Sequence, residues 1–269
     1  MPATVGTFPG QDTLLACWNA LAALSPGARL LHTDEAVAAV FPEWLPLNNA
    51  ILRSVDDAEA RAAAASRLAG VYRAAGVEAW ALWLPSNATS FDAPDEVSQV
   101  GTLTRDTTTL VMRATLTPEL RPQDGVVSAS IAVATRAAGD EEVPVADLGE
   151  PETEPGLAAW VMLQNNVAVA GTWSFLHEGD CGIYTVGTMP QWRRRGLARM
   201  LVEHALADAQ RRGARTASLQ STPMAQHLYG SLGFRPVGRY EEWAAPAPQG
   251  DTTPSGGRVS AKASSSAGE

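Results

Sequence analysis

The stretch that decides the fold runs from residue 186 to residue 199 and reads Val186-Gly187-Thr188-Met189-Pro190-Gln191-Trp192-Arg193-Arg194-Arg195-Gly196-Leu197-Ala198-Arg199. A β-strand is predicted to end near Thr188, and a helix is predicted to begin near Arg193 after a short loop. The first N–H groups of a helix lack intrahelical partners and carry partial positive charge, so they bind phosphate well. Gly196 and Ala198 let a phosphate approach the backbone, and the arginines add charge-assisted contacts. The stretch therefore predicts an anion site.

The pattern Arg-x-x-Gly-x-small is weak when it stands alone. It is neither a phosphate-binding P-loop nor a dinucleotide-binding glycine fingerprint, because both need more glycines at other spacings. Its first half recurs at Arg67-x-x-Gly70, Arg73-x-x-Gly76 and Arg136-x-x-Gly139. Only the copy at 193–198 is predicted to lie at a strand-to-helix turn. By itself it leaves an exposed basic helix start as an alternative.

The residues around this stretch alternate regularly between strand and helix patterns. Asn tolerates positive φ, so Gln164-Asn165-Asn166 predicts a hairpin turn. Apolar residues every three to four positions predict the long helix, and Gly213 is a natural terminator. The predicted strands are 158–163, 167–175, 181–188, about 214–220 and 234–243, and the predicted helices are about 193–212 and about 224–232.

A second motif follows one strand later and reads Pro223-Met224-Ala225-Gln226-His227-Leu228-Tyr229-Gly230-Ser231-Leu232-Gly233-Phe234. With both motifs in this order, the sequence resembles the GCN5-related N-acetyltransferase (GNAT) family. In that family an Arg/Gln-x-x-Gly-x-Gly/Ala turn precedes a helix that ends in Tyr-x-x-x-Gly-Phe. The resemblance covers about residues 157–243 and weakens before them.

The resemblance implies a binding site for acetyl-CoA as co-substrate. The pyrophosphate is expected on the backbone amides of Arg194–Arg199, with Arg193 at the first position of the motif. The main chain of Val186, Gly187 and Thr188 is expected to hold the pantetheine arm and the acetyl carbonyl. Ser221 stands where many relatives have an asparagine that contacts pantetheine, which puts this one contact in doubt. The implied cofactor-binding residues are Val186, Gly187, Thr188, Arg193, Arg194, Arg195, Gly196, Leu197, Ala198, Arg199 and Ser221.

Tyr229 is the implied catalytic residue, because its position in many relatives protonates the departing CoA thiolate. An O–H donor near the sulfur stabilises developing negative charge. A core tyrosine on an amphipathic helix is the alternative interpretation.

No residue is singled out as the general base. His177, Glu178 and Asp180 cluster before a predicted strand and Tyr184 lies on it, but structural roles are favoured for all four. His204 and His227 fall on predicted helices, where surface or core roles are expected. No spacing of His, Cys and Asp indicates a metal site. Cys17 and Cys181 have no evident activating partner, so a thiol nucleophile is not expected.

The N-terminal part, residues 1–125, has α/β alternation without a phosphate-binding turn. Helices are predicted at about 11–24 and 56–75, the second capped by Asp56 or Asp57, and strands at 78–84 and about 107–116. The predicted fold class is α/β, an α+β mixed sheet of the acyl-CoA N-acyltransferase fold, and a tandem arrangement with a degenerate N-terminal copy is one open interpretation. The predicted domains are 1–125, a GNAT acetyltransferase domain at 126–244, and a disordered tail at 245–269.

The first strand of the GNAT-like part is predicted at about 126–134. Relatives place two helices after it, which wall the acceptor site, but the acidic, proline-containing stretch 136–157 looks too short for both. Either the acceptor site is open or the N-terminal part closes it. The acidic stretch is either a solvated loop or a lip that attracts a cationic substrate.

Composition limits the class of protein. The chain has 269 residues, a net charge of −9 and two cysteines, which excludes a disulfide framework and argues against general nucleic-acid binding. No apolar run is long enough for a membrane span, so a reducing, cytoplasmic setting is expected. Oligomeric state is not predicted.

Three functions are compared. The first is an acyl-CoA-dependent N-acyltransferase that moves acetyl to a primary amine of a small molecule by direct attack in a ternary complex. The second is a non-catalytic acyl-CoA-binding or sensing protein. The third, binding of nucleic acid or nucleotide phosphate through Arg193–Arg195, fits the acidic balance poorly.

Overall fold

The structure, a computed structural model, describes residues 8–53, 57–117, 120–139 and 141–245. Within these residues the chain forms one twelve-stranded sheet with five α-helices. The helices are α1 (Gln11–Leu24), α2 (Ala58–Ala74), α3 (Ile131–Ala138), α4 (Leu197–Arg211) and α5 (Gln226–Ser231). The strands are β1 (Arg29–His32), β2 (Ala36–Val40), β3 (Asn49–Leu52), β4 (Ala81–Ser86), β5 (Thr104–Thr115), β6 (Val126–Ser128), β7 (Val143–Pro144), β8 (Leu157–Gln164), β9 (Val167–His177), β10 (Asp180–Thr188), β11 (Thr216–Ser221) and β12 (Arg235–Ala244).

The sheet is mixed. Its strand order is β1-β2-β3-β4-β12-β5-β11-β10-β9-β8-β6, and β7 pairs with β9. Two of the described pairs are parallel, β3 with β4 and β10 with β11, and each is connected by a helix. The other pairs are antiparallel. The predicted mixed α/β class is confirmed.

Two strands are exchanged between the halves of the chain, so that each lies among strands of the other half. β5, from the N-terminal half, lies between β11 and β12, while β12, from the C-terminal half, lies between β4 and β5. β5 pairs with β11 from Leu110 opposite Ser221 to Thr115 opposite Thr216. β12 pairs with β4 from Ser86 opposite Arg239 to Ala81 opposite Ala244. The halves therefore share one continuous sheet.

Helices cover both faces of this sheet. Successive residues of β5 point to opposite faces, and Val111 packs with α1 and α3 while Leu110 and Met112 pack with α4 and Tyr229. On the α3 side, Gly171 and Gly187 are opposite each other in the β9–β10 pair. A Cβ at either glycine would collide with backbone carbonyls of α3. The glycine pair thus lets α3 pack close to the sheet.

Most predicted elements are confirmed. Helices α1 and α2 match their predicted ranges, and the Asp57 carboxylate caps α2 by accepting a hydrogen bond from the Ala60 amide at 2.8 Å. Asn165 and Asn166 have φ of 51° and 63° in the predicted hairpin turn. The tail predicted at 245–269 lies, apart from Ala245, outside the described residues.

Two predictions are wrong. The strand expected at 126–134 ends at Ser128, and a helix begins at Ile131. The helix is favoured because the Ser130 hydroxyl accepts a hydrogen bond from the Val133 amide and a Glu152 carboxylate oxygen accepts one from the Ile131 amide. The helix expected from about residue 193 begins only at Leu197, because the preceding residues form a turn. After α3, the described part of 136–157 contains no further α-helix.

Candidate functional site

The parallel strands β10 and β11 separate partway along their length. Their pairing runs from Asp180 opposite Thr216 to Gly182 opposite Ser218, after which β10 continues to Thr188 and β11 to Ser221. A bulge interrupts the pairing of β10 with β9 between Tyr184 and Gly187, and Thr185 has a φ of 51° there. Beyond Gly182 and Ser218 the two strands are no longer paired, and a bulge bends the strand that carries it. We call the space between these unpaired ends of β10 and β11 the cleft.

The turn between β10 and α4 leaves an open helix N-terminus. Arg194 has a φ of 62°, and Gly196, the N-cap residue, has a φ of 80° and supplies no side-chain cap. The first helical bond joins the Met200 amide to the Gly196 carbonyl at 3.0 Å. The amides of Leu197, Ala198 and Arg199 therefore have no acceptor within the helix. A Cβ at Gly196 would meet nothing within 4 Å, so a side chain placed at this position would extend into open space.

The predicted arginines have different roles at this turn. Arg193 donates from Nε to the Thr188 carbonyl at 3.0 Å, and the Arg195 guanidinium lies 4.6 Å from the centre of the Trp192 ring. Arg199 pairs with Glu203 at 2.9 Å and donates to the Ser231 hydroxyl at 3.1 Å. Arg194 is exposed, and no described residue bonds to its side chain. Arg193 and Arg195 thus shape the turn, while Arg194 presents free positive charge.

The hydroxyls of Thr188 and Ser221, two predicted cofactor-binding residues, differ in whether they already have a hydrogen-bond partner. The Thr188 hydroxyl is buried at the end of β10 and has no hydrogen-bond partner among the described residues. The Ser221 hydroxyl donates to the Thr222 carbonyl at 2.9 Å, and Ser221 is fully buried. A ligand in the cleft could bond to Thr188 without competing with an internal contact, whereas Ser221 offers no free hydroxyl.

Tyr229 lies on α5, on the same face of the sheet as α4. Its ring is buried and packs edge-on against Phe234, with 5.9 Å between the ring centres. Burial raises the pKa of the phenol, so it stays protonated at neutral pH. Its hydroxyl has no hydrogen-bond partner among the described residues.

On the opposite face, a cavity of about 170 Å³ opens beside the cleft. Trp18 and Trp83 line it from the N-terminal half, and Trp173, Tyr184 and Gln220 line it from the C-terminal half. Residues from both halves of the chain therefore wall this space together. Sequence reasoning missed the tryptophans because they lie far apart in the chain and match no motif.

The candidate bases have structural contacts. Asp180 accepts hydrogen bonds from the hydroxyls of Thr13, Thr216 and Ser218 at 2.6–2.9 Å, which fixes α1 to the sheet. His204 accepts from the Gln123 amide at 3.0 Å, and burial lowers its pKa. Neither residue lines the cavity.

Both thiols are poor nucleophiles in this structure. Burial raises the pKa of Cys181 to about 12 and that of Cys17 further still. A thiolate is therefore scarce at neutral pH.

The acidic stretch has partners of its own. Glu152 caps α3, Glu141 pairs with Arg136, and Glu142 accepts from the Gln191 amide side chain at 3.2 Å. No described residue of 136–157 lines the cavity. The described residues contain no cluster of His, Cys, Asp and Glu that could hold a metal ion. In the same residues, each helix is too short or too polar to cross a bilayer.

Comparison with known proteins gives one family match and several structures of similar fold. Residues 130–234 match the family model described as acetyltransferase (GNAT) family. A solved GCN5-related N-acetyltransferase from Kribbella flavida is 19% identical, with 87% of this chain and 93% of that chain covered and a TM-score of 0.59. A GNAT-family structure from Novosphingobium aromaticivorans is 16% identical, with 88% and 96% covered and a TM-score of 0.53. No curated protein sequence matches.

The two structural similarities show the fold, and the family match includes both the turn before α4 and Tyr229. Residues 130–234 of this chain therefore match the acetyltransferase (GNAT) family model, and the chain has the acyl-CoA N-acyltransferase fold.

Proposed function

We propose that this protein transfers an acyl group, acetyl first among them, from acyl-CoA to a primary amine of a small molecule by direct attack in a ternary complex. One observation carries the proposal: β10 and β11 part between the uncapped N-terminus of α4 and a cavity that both strands help to line. An anionic carrier and a small acceptor can therefore meet at one point.

The residues at the cleft fit acyl-CoA. The amides of Arg194–Arg199 would bind the pyrophosphate, and exposed Arg194 would add charge. The main chain of Val186, Gly187 and Thr188 would bind the pantetheine arm and orient the acyl carbonyl, with the unpartnered Thr188 hydroxyl as a further donor. Ser221 would contribute through its main chain. Bound acyl-CoA supplies the activated thioester.

Tyr229 would stabilise the departing thiolate. Because burial raises its pKa above the range of an ordinary thiol, near 8.5, complete proton transfer is unfavourable. The phenol therefore acts mainly by donating a hydrogen bond to the sulfur as negative charge develops.

Residues 1–125 belong to the same proposal as a degenerate copy of the fold that walls the acceptor site. Support comes from a second parallel strand-helix-strand unit, β3-α2-β4, and from the exchange of β5 and β12. We place the protein in the cytoplasm, where free cysteines such as Cys17 and Cys181 stay reduced.

The test is thiol release from acetyl-CoA with a panel of primary amines, with the product identified by mass. We expect an amide product and one thiol per amide. Tight acetyl-CoA binding without thiol release from any amine would support the non-catalytic sensor instead. Protection against heat by ATP or DNA, and not by CoA, would support phosphate recognition of another kind.

A further inference from the structure

We infer that the acceptor amine carries a single uncharged aromatic ring, which binds in the cavity between Trp18, Trp83, Trp173 and Tyr184. This inference rests on the proposed function, because it names the substrate class for that site. The shape, size and polarity of the cavity each support it.

The cavity walls are two aromatic pairs held in fixed orientation. The indoles of Trp18 and Trp83 meet edge-to-face with 5.8 Å between ring centres, and Trp173 stacks on Tyr184 at 4.5 Å. The Trp173 indole N–H donates to the Thr185 hydroxyl at 3.1 Å, which fixes the ring. Aromatic rings prefer edge-to-face and offset contacts with other rings, so such walls suit a planar guest better than a flexible chain.

The volume limits the guest to one ring. The cavity measures about 170 Å³. An apolar protein cavity of roughly 150 Å³ is known to hold benzene. A single ring with a short linker therefore fills the space between these walls.

The lining carries no charge. None of the eleven described lining residues is an Asp, Glu, His, Lys or Arg. The polar groups are the side chains of Asn49, Gln220 and Thr185, the phenol of Tyr184 and the indole N–H groups, of which that of Trp83 has no partner among the described residues. Asn49 already donates to the Pro46 carbonyl at 3.1 Å. A second ammonium or a carboxylate on the guest would be buried without a counter-charge, which is costly. The cavity therefore disfavours diamines and amino acids.

The polar groups also orient the guest. Thr185 and Gln220 lie on β10 and β11 at the point where these strands have separated. A ring among the indoles would direct its amino group toward this opening, where the acyl group is proposed to lie.

The experiment compares three amines by the rate of thiol release with acetyl-CoA: 2-phenylethylamine, octylamine with the same number of carbons, and 1,4-diaminobutane. We expect kcat/KM for 2-phenylethylamine to exceed the other two by at least about tenfold, since one good apolar contact is worth roughly 10–200-fold. An equal or higher kcat/KM for octylamine would overturn the inference while leaving acyl transfer intact. An equal or higher kcat/KM for 1,4-diaminobutane would do the same, because it would mean that the aromatic residues select cations.

Leu47 provides a variant that fills the cavity, and Leu45 provides its control. Leu47 is half-buried and lines the cavity, whereas Leu45, on the same turn, is 53% exposed and does not. We expect Leu47→Trp to raise the KM for 2-phenylethylamine about tenfold with an unchanged Kd for acetyl-CoA, and Leu45→Trp to change neither. Should Leu47→Trp fail to fold, Gln220→Glu, which adds a carboxylate without changing size, should shift preference toward 1,4-diaminobutane. No shift with either variant contradicts the inference.

A binding measurement separates the two levels of the proposal. 2-Phenylethanol has the ring but no amine. Its binding is measured by quenching of tryptophan fluorescence in the wild type and in Leu47→Trp. The signal of Leu47→Trp is corrected for the added indole. Quenching that Leu47→Trp abolishes supports the ring site even if no amine reacts, in which case only the proposed acyl transfer fails. Absence of quenching together with turnover of aliphatic amines refutes the ring site alone.

Discussion

The chain contains two parallel strand-helix-strand units, and only one of them has the features of an anion site. In β3-α2-β4 and in β10-α4-β11, three residue pairs hold the parallel strands together and a helix connects them. The Asp57 carboxylate already occupies the N-terminus of α2, whereas Gly196 leaves that of α4 uncapped. The two units therefore share a topology but differ in the residue that precedes the helix.

The strands differ as well. β10 continues well beyond its last partner on β11, and a bulge interrupts its pairing with β9 near Thr185. β3 ends at Leu52, one residue after its last partner, Ile51. The first unit therefore has no cleft, and it contributes walls instead: Asn49 and Trp83 line the cavity that the second unit opens.

Gly196→Glu should have the largest effect, because it places bulk and negative charge at the open N-terminus of α4. Losing two charge-assisted hydrogen bonds of about 1.5 kcal/mol each raises the Kd for acetyl-CoA roughly 100-fold. The measurement is calorimetric titration with acetyl-CoA.

Gly213→Glu is the matched control at the other end of α4. Gly213 also has positive φ, 98°, and open space around its Cβ position, so backbone strain is similar. We expect a loss of stability at both positions and a loss of binding only at 196. Equal Kd values for the two variants would show that the anion site lies elsewhere.

Tyr229→Phe tests the helix that follows the second unit. Tyr229 lies on α5, between β11 and β12, whereas no helix is described between β4 and β5 after the first unit. Removing a hydrogen bond to a developing thiolate, worth about 1.5–3 kcal/mol, should lower kcat by roughly 10- to 100-fold. The Kd for acetyl-CoA should not change, since the ring packing against Phe234 is retained. An unchanged kcat, in single-turnover as well as steady-state assays, would refute the role assigned to Tyr229.

Sequence reasoning worked best where local residues determine local structure. Asn165 and Asn166 mark their hairpin, Asp57 marks the start of α2, and the arginine turn marks the start of the α4 region, because turns and caps need particular residue types. It failed for α3, where β-branched Ile131 and Val133 favoured a strand and the caps from Ser130 and Glu152 were not foreseen.

Features that join distant segments were not predictable in this way. The exchange of β5 and β12 depends on pairing between residues more than a hundred positions apart, which no periodicity encodes. The cavity depends on that exchange as well as on α1 packing over the sheet, so Trp18 and Trp83 carried no signal. The roles of the individual site residues stay predictions that the variants test.

Glu242→Gln examines β12, the strand that joins the second unit to β4 of the first. Glu242 faces Trp83 across the strands and accepts a hydrogen bond from the Thr109 hydroxyl at 2.9 Å. Desolvation raises the pKa of Glu242 to about 7, opposed by the Thr109 hydrogen bond and reinforced by the charge of Asp106. Between the unfolded pKa near 4.3 and this value, the folded chain holds a proton that the unfolded chain releases. Stability is therefore lost progressively as pH rises from about 4.3 through the folded pKa of about 7.

Glutamine mimics the protonated form and keeps the acceptor for Thr109, so Glu242→Gln should remove this loss. We expect it to unfold with about 2 kcal/mol more free energy than the wild type at pH 8 and with a similar value at pH 4.5. Asp106→Asn should give part of the same gain. Urea titrations at both pH values measure the difference, and parallel pH profiles for wild type and Glu242→Gln would disprove the proton linkage.

Asp57→Ala should have the smallest effect and sharpens the comparison most directly, because it uncaps α2. Loss of an N-cap carboxylate costs about 1 kcal/mol of unfolding free energy, and Asp57→Asn, which keeps an acceptor oxygen, should cost much less. Neither variant should change the stoichiometry of acetyl-CoA binding, since β3 and β4 form no cleft even when the helix is open. A second equivalent of acetyl-CoA bound to Asp57→Ala would mean that the Asp57 cap alone prevents anion binding at α2. An anion site would then not require separated strands such as β10 and β11. One equivalent with the expected loss of stability would mean that an anion site in this fold needs both an uncapped helix and strands that part beside it.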